Sequence, residues 1–148
     1  MNRRRLRFIV LTLGVLVSVT TAAWAQRWFR EGLGGTPARF RPTDLADSRF
    51  AFCKLMYDSV RSEQSGIGWS TDYPYAGINL MTRLSELTKT TVSRTESGEV
   101  NHWVVRLEDP SLFDCPFLMA TDVGTVGFTD EEAVLLREYL LKGGFLWV

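Results

Sequence analysis

The sequence is poor in the residues that build metal sites. It holds one histidine, His102, and two cysteines, Cys53 and Cys115, among 148 residues. A site with three or four histidine and cysteine ligands is difficult to assemble from so few donors. We therefore expect no metal site, and no motif in the sequence indicates another cofactor.

The sequence also lacks an excess of charge of either sign. Lysine and arginine together number 17, as do aspartate and glutamate. Because four arginines lie within the first seven residues, the rest of the chain is mildly acidic. Surfaces that bind DNA or RNA are basic, so we predict no nucleic-acid partner. The hydrophobic fraction of 45% is sufficient for one packed domain.

The amino terminus has the pattern of a targeting segment. A cluster of arginines precedes an apolar run over residues 8–19, and Ala23-Trp24-Ala25 forms a small-x-small cleavage site. These features predict a secretory signal peptide over residues 1–25, and hence an exported, periplasmic or extracytoplasmic protein. The alternative is an uncleaved membrane anchor, for which the apolar run is short compared with the roughly 20 residues that span a bilayer.

Residues 26–48 are rich in glycine, proline and arginine and show neither a helical nor a strand period. This composition predicts a linker between the signal peptide and a domain. Its arginines either lie in solvent, which is the commoner case, or contact anionic lipid headgroups or a partner.

Residues 49–148 alternate between strand and helix patterns. Nearly continuous apolar runs predict buried strands at residues 50–57, 103–107, 116–120 and 144–148. Leu80, Leu84 and Leu87 mark the buried stripe of one helix. Residues 129–132 form a capping box that starts a second helix, which ends at Gly143. Its buried side is expected to hold Ala133, Leu136, Tyr139 and Leu140. The alternation predicts an α/β domain with a mostly parallel sheet and flanking helices.

Two connections follow strands of this sheet and carry the candidate ligand-binding residues. The first contributes four residues and the helix after it two more, and the second contributes two: Trp69, Thr71, Asp72, Tyr73, Asn79, Arg83, Thr121 and Asp122. In parallel α/β sheets ligands bind at the carboxyl ends of strands, so these residues are expected to share one edge. No residue in the sequence has the setting of a catalytic one.

Each candidate also has a structural interpretation. Asp72 is either a binding-site carboxylate or a cap for amides at the start of the helix, which is the commoner role. The aromatic residues of the first connection, Trp69, Tyr73 and Tyr75, either line a pocket for a sugar or peptide or simply pack. Arg83 either binds an anion or lies on a solvated helix face.

The two cysteines leave two possibilities open. In an oxidising compartment Cys53 and Cys115 could form a disulfide. Both are predicted on or beside central strands, where cysteines are often buried thiols. Pairing requires Cα atoms within about 7 Å, which the sequence does not determine.

Several of these motifs are similar to those of a known family. Residues 69–76, with the sequence WSTDYPYA, residues 109–113, with DPSLF, and residues 140–146, with LLKGGFL, carry the resemblance together with the capping box. The chain resembles the bacterial domain of unknown function 4159 family over residues 49–148. This resemblance implies membership of the class I glutamine amidotransferase-like superfamily, with a flavodoxin-like doubly wound sheet. Members are typically exported or membrane-linked, and their activity is not established.

The sequence departs from that pattern in two ways. The family continues for roughly half a domain beyond Val148, so we expect a fragment that holds the amino-terminal half. Class I amidotransferases carry a nucleophilic cysteine on a strand-to-helix elbow, and neither cysteine here has that setting. We therefore predict a non-catalytic binding or assembly module of the cell envelope, whose partner is a small ligand or an envelope protein. The alternative is a hydrolase or amidotransferase-type enzyme whose catalytic residues lie in a missing carboxyl-terminal part.

Overall fold

A computed structural model of the chain describes residues 36–63 and 66–148. The predicted signal peptide and residues 26–35 lie outside the described residues. In chain order the elements are β1 (Phe52–Leu55), β2 (Asp58–Ser59), α1 (Tyr75–Leu87), β3 (His102–Val105), β4 (Phe117–Met119), β5 (Val126–Gly127), α2 (Asp130–Leu141) and β6 (Phe145–Trp147). Short 3-10 helices occupy Gly68–Ser70, Pro110–Asp114 and Val123–Thr125.

Four of the strands form a parallel sheet in the order β3-β1-β4-β6. The chain therefore leaves β1 first toward one edge of the sheet, through α1 to β3, and then builds toward the other edge through β4 and β6. This order is that of the flavodoxin-like doubly wound sheets, in which the direction of winding reverses between β1 and β4. The predicted α/β class and parallel sheet are confirmed.

Helix α1 packs on one face of the sheet through Met81, which is fully buried together with Phe52 of β1. Gly77 permits this close approach, because a Cβ atom there would lie 2.7 Å from the Phe52 ring. Leu80 and Leu84 contact the same cluster, as predicted, but Leu87 is 80% exposed. Its predicted burial is wrong because the buried line runs through Gly77, Met81 and Leu84, and Leu87 lies to one side of it in the last turn.

Helix α2 packs on the opposite face through Leu135, Leu136 and Tyr139. The predicted burial of Ala133 and Leu140 is wrong, since both are exposed. The hydroxyl of the buried Tyr139 donates to the carbonyl oxygens of Cys115 at 2.8 Å and Phe145 at 3.2 Å, so this side chain fixes which face of α2 meets the sheet.

The predicted ends of α2 are confirmed. Thr129 accepts from the amide of Glu132 at 3.1 Å, and the Glu132 carboxylate accepts from the amide of Thr129 at 2.8 Å. Both halves of the capping box are thus formed. Gly143 follows the helix with φ 93°, a conformation that a residue with a side chain adopts only at a cost.

The described part of the predicted linker, residues 36–48, belongs to the fold. Phe40 pairs in parallel with Val104 of β3, whose amide donates to Arg39 and whose carbonyl accepts from Arg41. Arg41 is buried and Arg39 lies over the Trp103 ring, so neither arginine is simply solvated. The pairing uses backbone groups, which explains why no strand period is visible in the side chains.

Cys53 and Cys115 form a disulfide, with Cα atoms 5.8 Å apart and a sequence separation of 62. The bond joins the middle of β1 to the residue two places before β4, and both sulfur-bearing residues are buried. Of the two possibilities left open by the sequence, the structure has the disulfide. Within the described part of the chain, no helix combines the length and apolarity needed to cross a membrane.

The sequence did not predict β2 and β5, a pair of two-residue antiparallel strands outside the main sheet. β2 follows β1 and β5 follows β4, so the pair ties together the two connections that leave the carboxyl ends of these strands. Asp58 and Ser59 gave no strand signal because a pairing this short needs no apolar pattern.

Candidate functional site

The carboxyl-edge site consists of two loops, residues 66–74 after β1 and residues 120–125 after β4. These strands are neighbours at the point where the winding of the sheet reverses, which is the usual ligand position in such folds. Each loop contains one aspartate in the left-handed conformation, Asp72 with φ 62° and Asp122 with φ 54°. No other non-glycine residue of the described chain has a positive φ. Such backbone strain persists only where the surroundings hold it, and it concentrates at functional sites.

Hydrogen bonds hold the two loops against each other. The amide of Gly68 donates to a carboxylate oxygen of Asp122 at 2.8 Å, and the Thr121 hydroxyl donates to the carbonyl of Thr71 at 3.2 Å. Beneath them the buried Tyr57 hydroxyl donates to the carbonyls of Thr121 and Asp122 at 2.6 and 2.7 Å. The structure thus brings three of the predicted residues together, and the carboxylate of Asp122 serves the fold as an acceptor.

Lys54 is the residue of this site that sequence reasoning missed. It lies in β1, is only 1% exposed, and its ammonium donates to the carbonyl of Thr71. Burial lowers the pKa of Lys54 to about 8, although the nearby carboxylate of Asp72 opposes the shift. The available signal was one lysine inside an otherwise apolar strand that is covered on both faces, a place where lysine is rare.

Trp69 and Tyr73 are packing residues. Their ring centroids are 5.5 Å apart, and Trp69 contacts the core on the α2 side of the sheet. The Tyr73 hydroxyl donates to the carbonyl of Pro37 at 3.1 Å and accepts from the amide of Arg39 at 3.0 Å. Of the two interpretations of these aromatic residues, the contacts favour packing over the lining of a pocket.

The three remaining candidates, Asp72, Asn79 and Arg83, form a surface together with Tyr75, which we call the α1 outer face. All four are exposed, Tyr75 to 70%. The three helical residues recur every fourth position and therefore lie on one side of α1, with Asp72 just before its start. Arg83 donates to Glu86 at 2.6 Å on the same exposed surface. No hydrogen bond to the Asp72 carboxylate occurs within the described part of the chain.

Among the described residues, neither the cysteines nor the histidine forms a pair of nucleophile and base. The sulfur atoms of both cysteines are joined to each other, so neither residue presents a thiol. His102 is partly buried, its Nδ1 has no hydrogen-bond partner, and burial together with the neighbouring Arg39 lowers its pKa. In residues 36–63 and 66–148, no three side chains among histidine, cysteine, aspartate and glutamate are grouped so as to hold a metal ion. What the site offers is an exposed carboxylate, an aromatic ring and polar side chains on a rigid loop and helix.

Comparison with known proteins identifies a family but no activity. The family described as Domain of unknown function (DUF4159) matches residues 51–148, well over half of the chain. The chain therefore belongs to this family. No curated protein and no solved structure matches it significantly.

Proposed function

From this membership of a family without a described activity, we propose that the chain is an exported, non-catalytic binding or assembly module of the cell envelope, on an amidotransferase-like fold. Its partner is an envelope protein that binds the α1 outer face. The observation that carries the proposal is the exposure of Asp72, Tyr75, Asn79 and Arg83 along one line beside the switch point of the sheet, while the neighbouring aromatic residues are packed.

Two features support export. Residues 1–25 have the basic start, apolar run and small-x-small end of a secretory signal. The disulfide between Cys53 and Cys115 is of a kind that persists in oxidising compartments and is rare in the cytosol. Together they support a location in the periplasm or another extracytoplasmic space.

The composition of the α1 outer face supports a protein partner. Tyrosine and arginine are enriched at protein interfaces, where they bury large areas and make directional hydrogen bonds. Asp72 and Arg83 place opposite charges at the two ends of the face, which would fix the orientation of a complementary partner.

The carboxyl-edge site also supports binding through its rigidity. Asp72 is held in its left-handed conformation by a loop whose Thr71 carbonyl accepts from both Lys54 and Thr121. A carboxylate that is already in place loses little conformational freedom when a partner binds, and so more of the contact energy appears as affinity.

The disulfide and the packing support a module without catalysis. An amidotransferase-type reaction requires a free thiol with a base in reach, and both cysteines are consumed in the disulfide. Within the described residues, the Nδ1 atom of His102 has no hydrogen-bond partner, and no nucleophilic side chain is hydrogen-bonded to this histidine.

Site-specific photocrosslinking of the full chain in its native host tests the proposal. A photoreactive residue at Asn79 should give one discrete adduct, which mass spectrometry identifies as an envelope protein. The same residue at Ser97, in an exposed turn outside α1, should give none. Tyr75→Ala and Arg83→Glu should each remove the adduct while leaving the melting temperature of the chain within a few degrees.

Three outcomes would overturn the proposal. The first is the absence of an adduct from positions 75, 79 and 83 alike. The second is an equal adduct from Ser97, which would indicate unspecific contact. The third is recovery of the chain in the cytoplasm with both cysteines available to alkylation, which would contradict export to the cell envelope.

A further inference from the structure

A cleft of about 880 Å³ opens at the other edge of the sheet, where the strands begin. Phe50, Pro116 and Gly144, which line it, each precede a strand of the main sheet. Arg41 and Asp114 also line it, and we call it the amino-edge cleft. It is separate from the carboxyl-edge site, because the two lie at opposite ends of the same parallel strands.

Among the described residues, Arg41 is a buried cation with two guanidinium nitrogen atoms that lack a hydrogen-bond partner. Its side chain is only 3% exposed, and its Nε and Nη1 atoms are buried and make no hydrogen bond. Within the described residues, the nearest carboxylate is that of Asp114, 3.9 Å from Nε, which is beyond hydrogen-bond length. A buried charge in this state is unfavourable unless an opposite charge reaches it.

The other charged groups of the cleft are paired. Asp47 accepts from Arg49 through two nitrogen atoms, at 2.7 and 2.9 Å, and from the Ser93 hydroxyl at 2.5 Å. Lys142 contacts the Glu138 carboxylate at 2.7 Å. Asp47, Arg49 and Lys142 are therefore already engaged within the fold. Arg41 and Asp114 remain as a loose ion pair at 3.9 Å, in which two buried nitrogen atoms of the guanidinium donate no hydrogen bond.

We propose that the amino-edge cleft binds a small molecule that carries an oxyanion, a carboxylate or a phosphate, and that Arg41 donates to the oxygen atoms of this group. A guanidinium matches both groups in geometry and keeps its charge when buried. The Asp114 side chain is 53% exposed, so it can turn to solvent when the ligand group takes its place beside Arg41. The volume of the cleft accommodates more than one anion, which favours an organic molecule with the charged group at one end.

Calorimetry on the full chain tests this site with two probes, inorganic phosphate and succinate, at constant ionic strength set with chloride. One of the two should bind saturably and thereby decide between phosphate and carboxylate. Arg41→Met should weaken that binding about tenfold or more. Arg137→Met removes the same charge from an exposed position of α2 outside the cleft and should leave the affinity within about twofold.

Asp114→Asn provides a second variant that does not alter Arg41. Since it removes the carboxylate that competes with the ligand, it should raise the affinity several-fold without lowering the melting temperature. If Asp114 is instead the permanent partner of Arg41, this variant will lower the melting temperature and leave the affinity unchanged, which would overturn the proposal. Failure of both probes to bind saturably, or equal binding by Arg41→Met and the unmodified chain, would also overturn it.

Discussion

Two buried cations lie at opposite ends of one sheet, and their surroundings differ. Lys54, at the carboxyl edge, donates to the Thr71 carbonyl and has the Asp72 carboxylate nearby. Arg41, at the amino edge, has two buried nitrogen atoms with no partner. A lysine can relieve burial by releasing its proton, whereas an arginine keeps its charge at any physiological pH. The Lys54 ammonium is therefore hydrogen-bonded within the fold. Two nitrogen atoms of Arg41 are not, and we propose that they bind an anion from outside the chain.

The difference also separates the two candidate binding surfaces by type. At the carboxyl edge the polar groups beneath the surface are bonded to one another, and binding is left to the exposed side chains of the α1 outer face. At the amino edge an unsatisfied charge lines a cleft. We expect a protein partner at the first and a small anionic molecule at the second, and the predictions below test this comparison through its effects on stability.

The largest effect is expected from loss of the disulfide, which ties β1 to the start of β4. The double variant Cys53→Ala, Cys115→Ala should lose about 4 kcal/mol of unfolding free energy, because the bond closes a loop of 62 positions in sequence. Urea titration followed by circular dichroism measures the loss.

Reductant provides the matched control for that variant. It should lower the stability of the unmodified chain by a similar amount and leave the double variant unchanged.

Because Cys115 lines the amino-edge cleft, amide exchange should rise more in residues 112–115 than in residues 68–73. A loss below about 1 kcal/mol would mean that the cross-link does not constrain the unfolded chain.

The second prediction concerns the proton of Lys54. Its pKa is about 8 in the folded chain and 10.5 in an unperturbed lysine, so between these values the unfolded chain holds a proton that the folded chain has released. Stability should therefore rise with pH, by about 1–2 kcal/mol between pH 7.5 and 9.5. His102 titrates below this window, since its pKa is lowered from 6.5, and Tyr139, with a pKa near 12, stays protonated in the folded chain.

Lys54→Met isolates the contribution of this proton. The variant keeps the length and the apolar stem of the side chain and removes the amine, so its stability should be flat over the same pH range. Urea unfolding at four pH values provides the comparison. A rise of equal size in Lys54→Met would assign the pH dependence to other groups. It would show that Lys54 does not release its proton on folding in this pH range.

The sequence predicted the strands of the main sheet and the start of α2, but it did not predict the role of Lys54 or the disulfide. The apolar runs identified all four strands of the main sheet within a few residues, and the Thr129 capping box placed the start of α2, because both signals are local. Lys54 escaped notice because one charge does not interrupt an apolar run, and its acceptor lies in a loop 17 residues away in sequence. The disulfide depended on the parallel pairing of β1 with β4, which brings Cys53 and Cys115 to 5.8 Å and has no local signature.

The amino edge was harder still to predict. Residues 36–48 join β3 by backbone hydrogen bonds, which leave no pattern in the side chains. The burial of Arg41 follows from that nonlocal pairing and not from its neighbours in sequence. The order of elements predicted that the two loops of the candidate site share one edge of the sheet, as they do, while the packing of Trp69 and Tyr73 depended on contacts with distant residues.

The third prediction compares the two left-handed aspartates of the carboxyl-edge site. Asp122→Gly relieves backbone strain but removes the acceptor of the Gly68 amide, so it should lose about 1 kcal/mol. Asp72→Gly relieves the same strain but removes the carboxylate near the buried Lys54, so the two effects oppose each other and the stability should change by less than about 0.5 kcal/mol. Thermal unfolding measures both. A loss at Asp72 as large as that at Asp122 would indicate that its carboxylate supports the fold and is not held ready for a partner.

The smallest effect is expected at Arg41 itself. In buffer without phosphate or carboxylates, Arg41→Met should unfold at the same free energy as the unmodified chain or up to about 1 kcal/mol higher, because a buried guanidinium with two unbonded nitrogen atoms and only a loose ion pair is replaced by an apolar side chain of similar length. Arg49→Met is the matched control on the same cleft. It breaks a paired arginine and leaves the largely buried carboxylate of Asp47 without its main partner, so its unfolding free energy should fall below that of the unmodified chain. Equal losses in the two variants would mean that Arg41 has its counter-ion within the chain, and the contrast between the two ends of the sheet would then disappear.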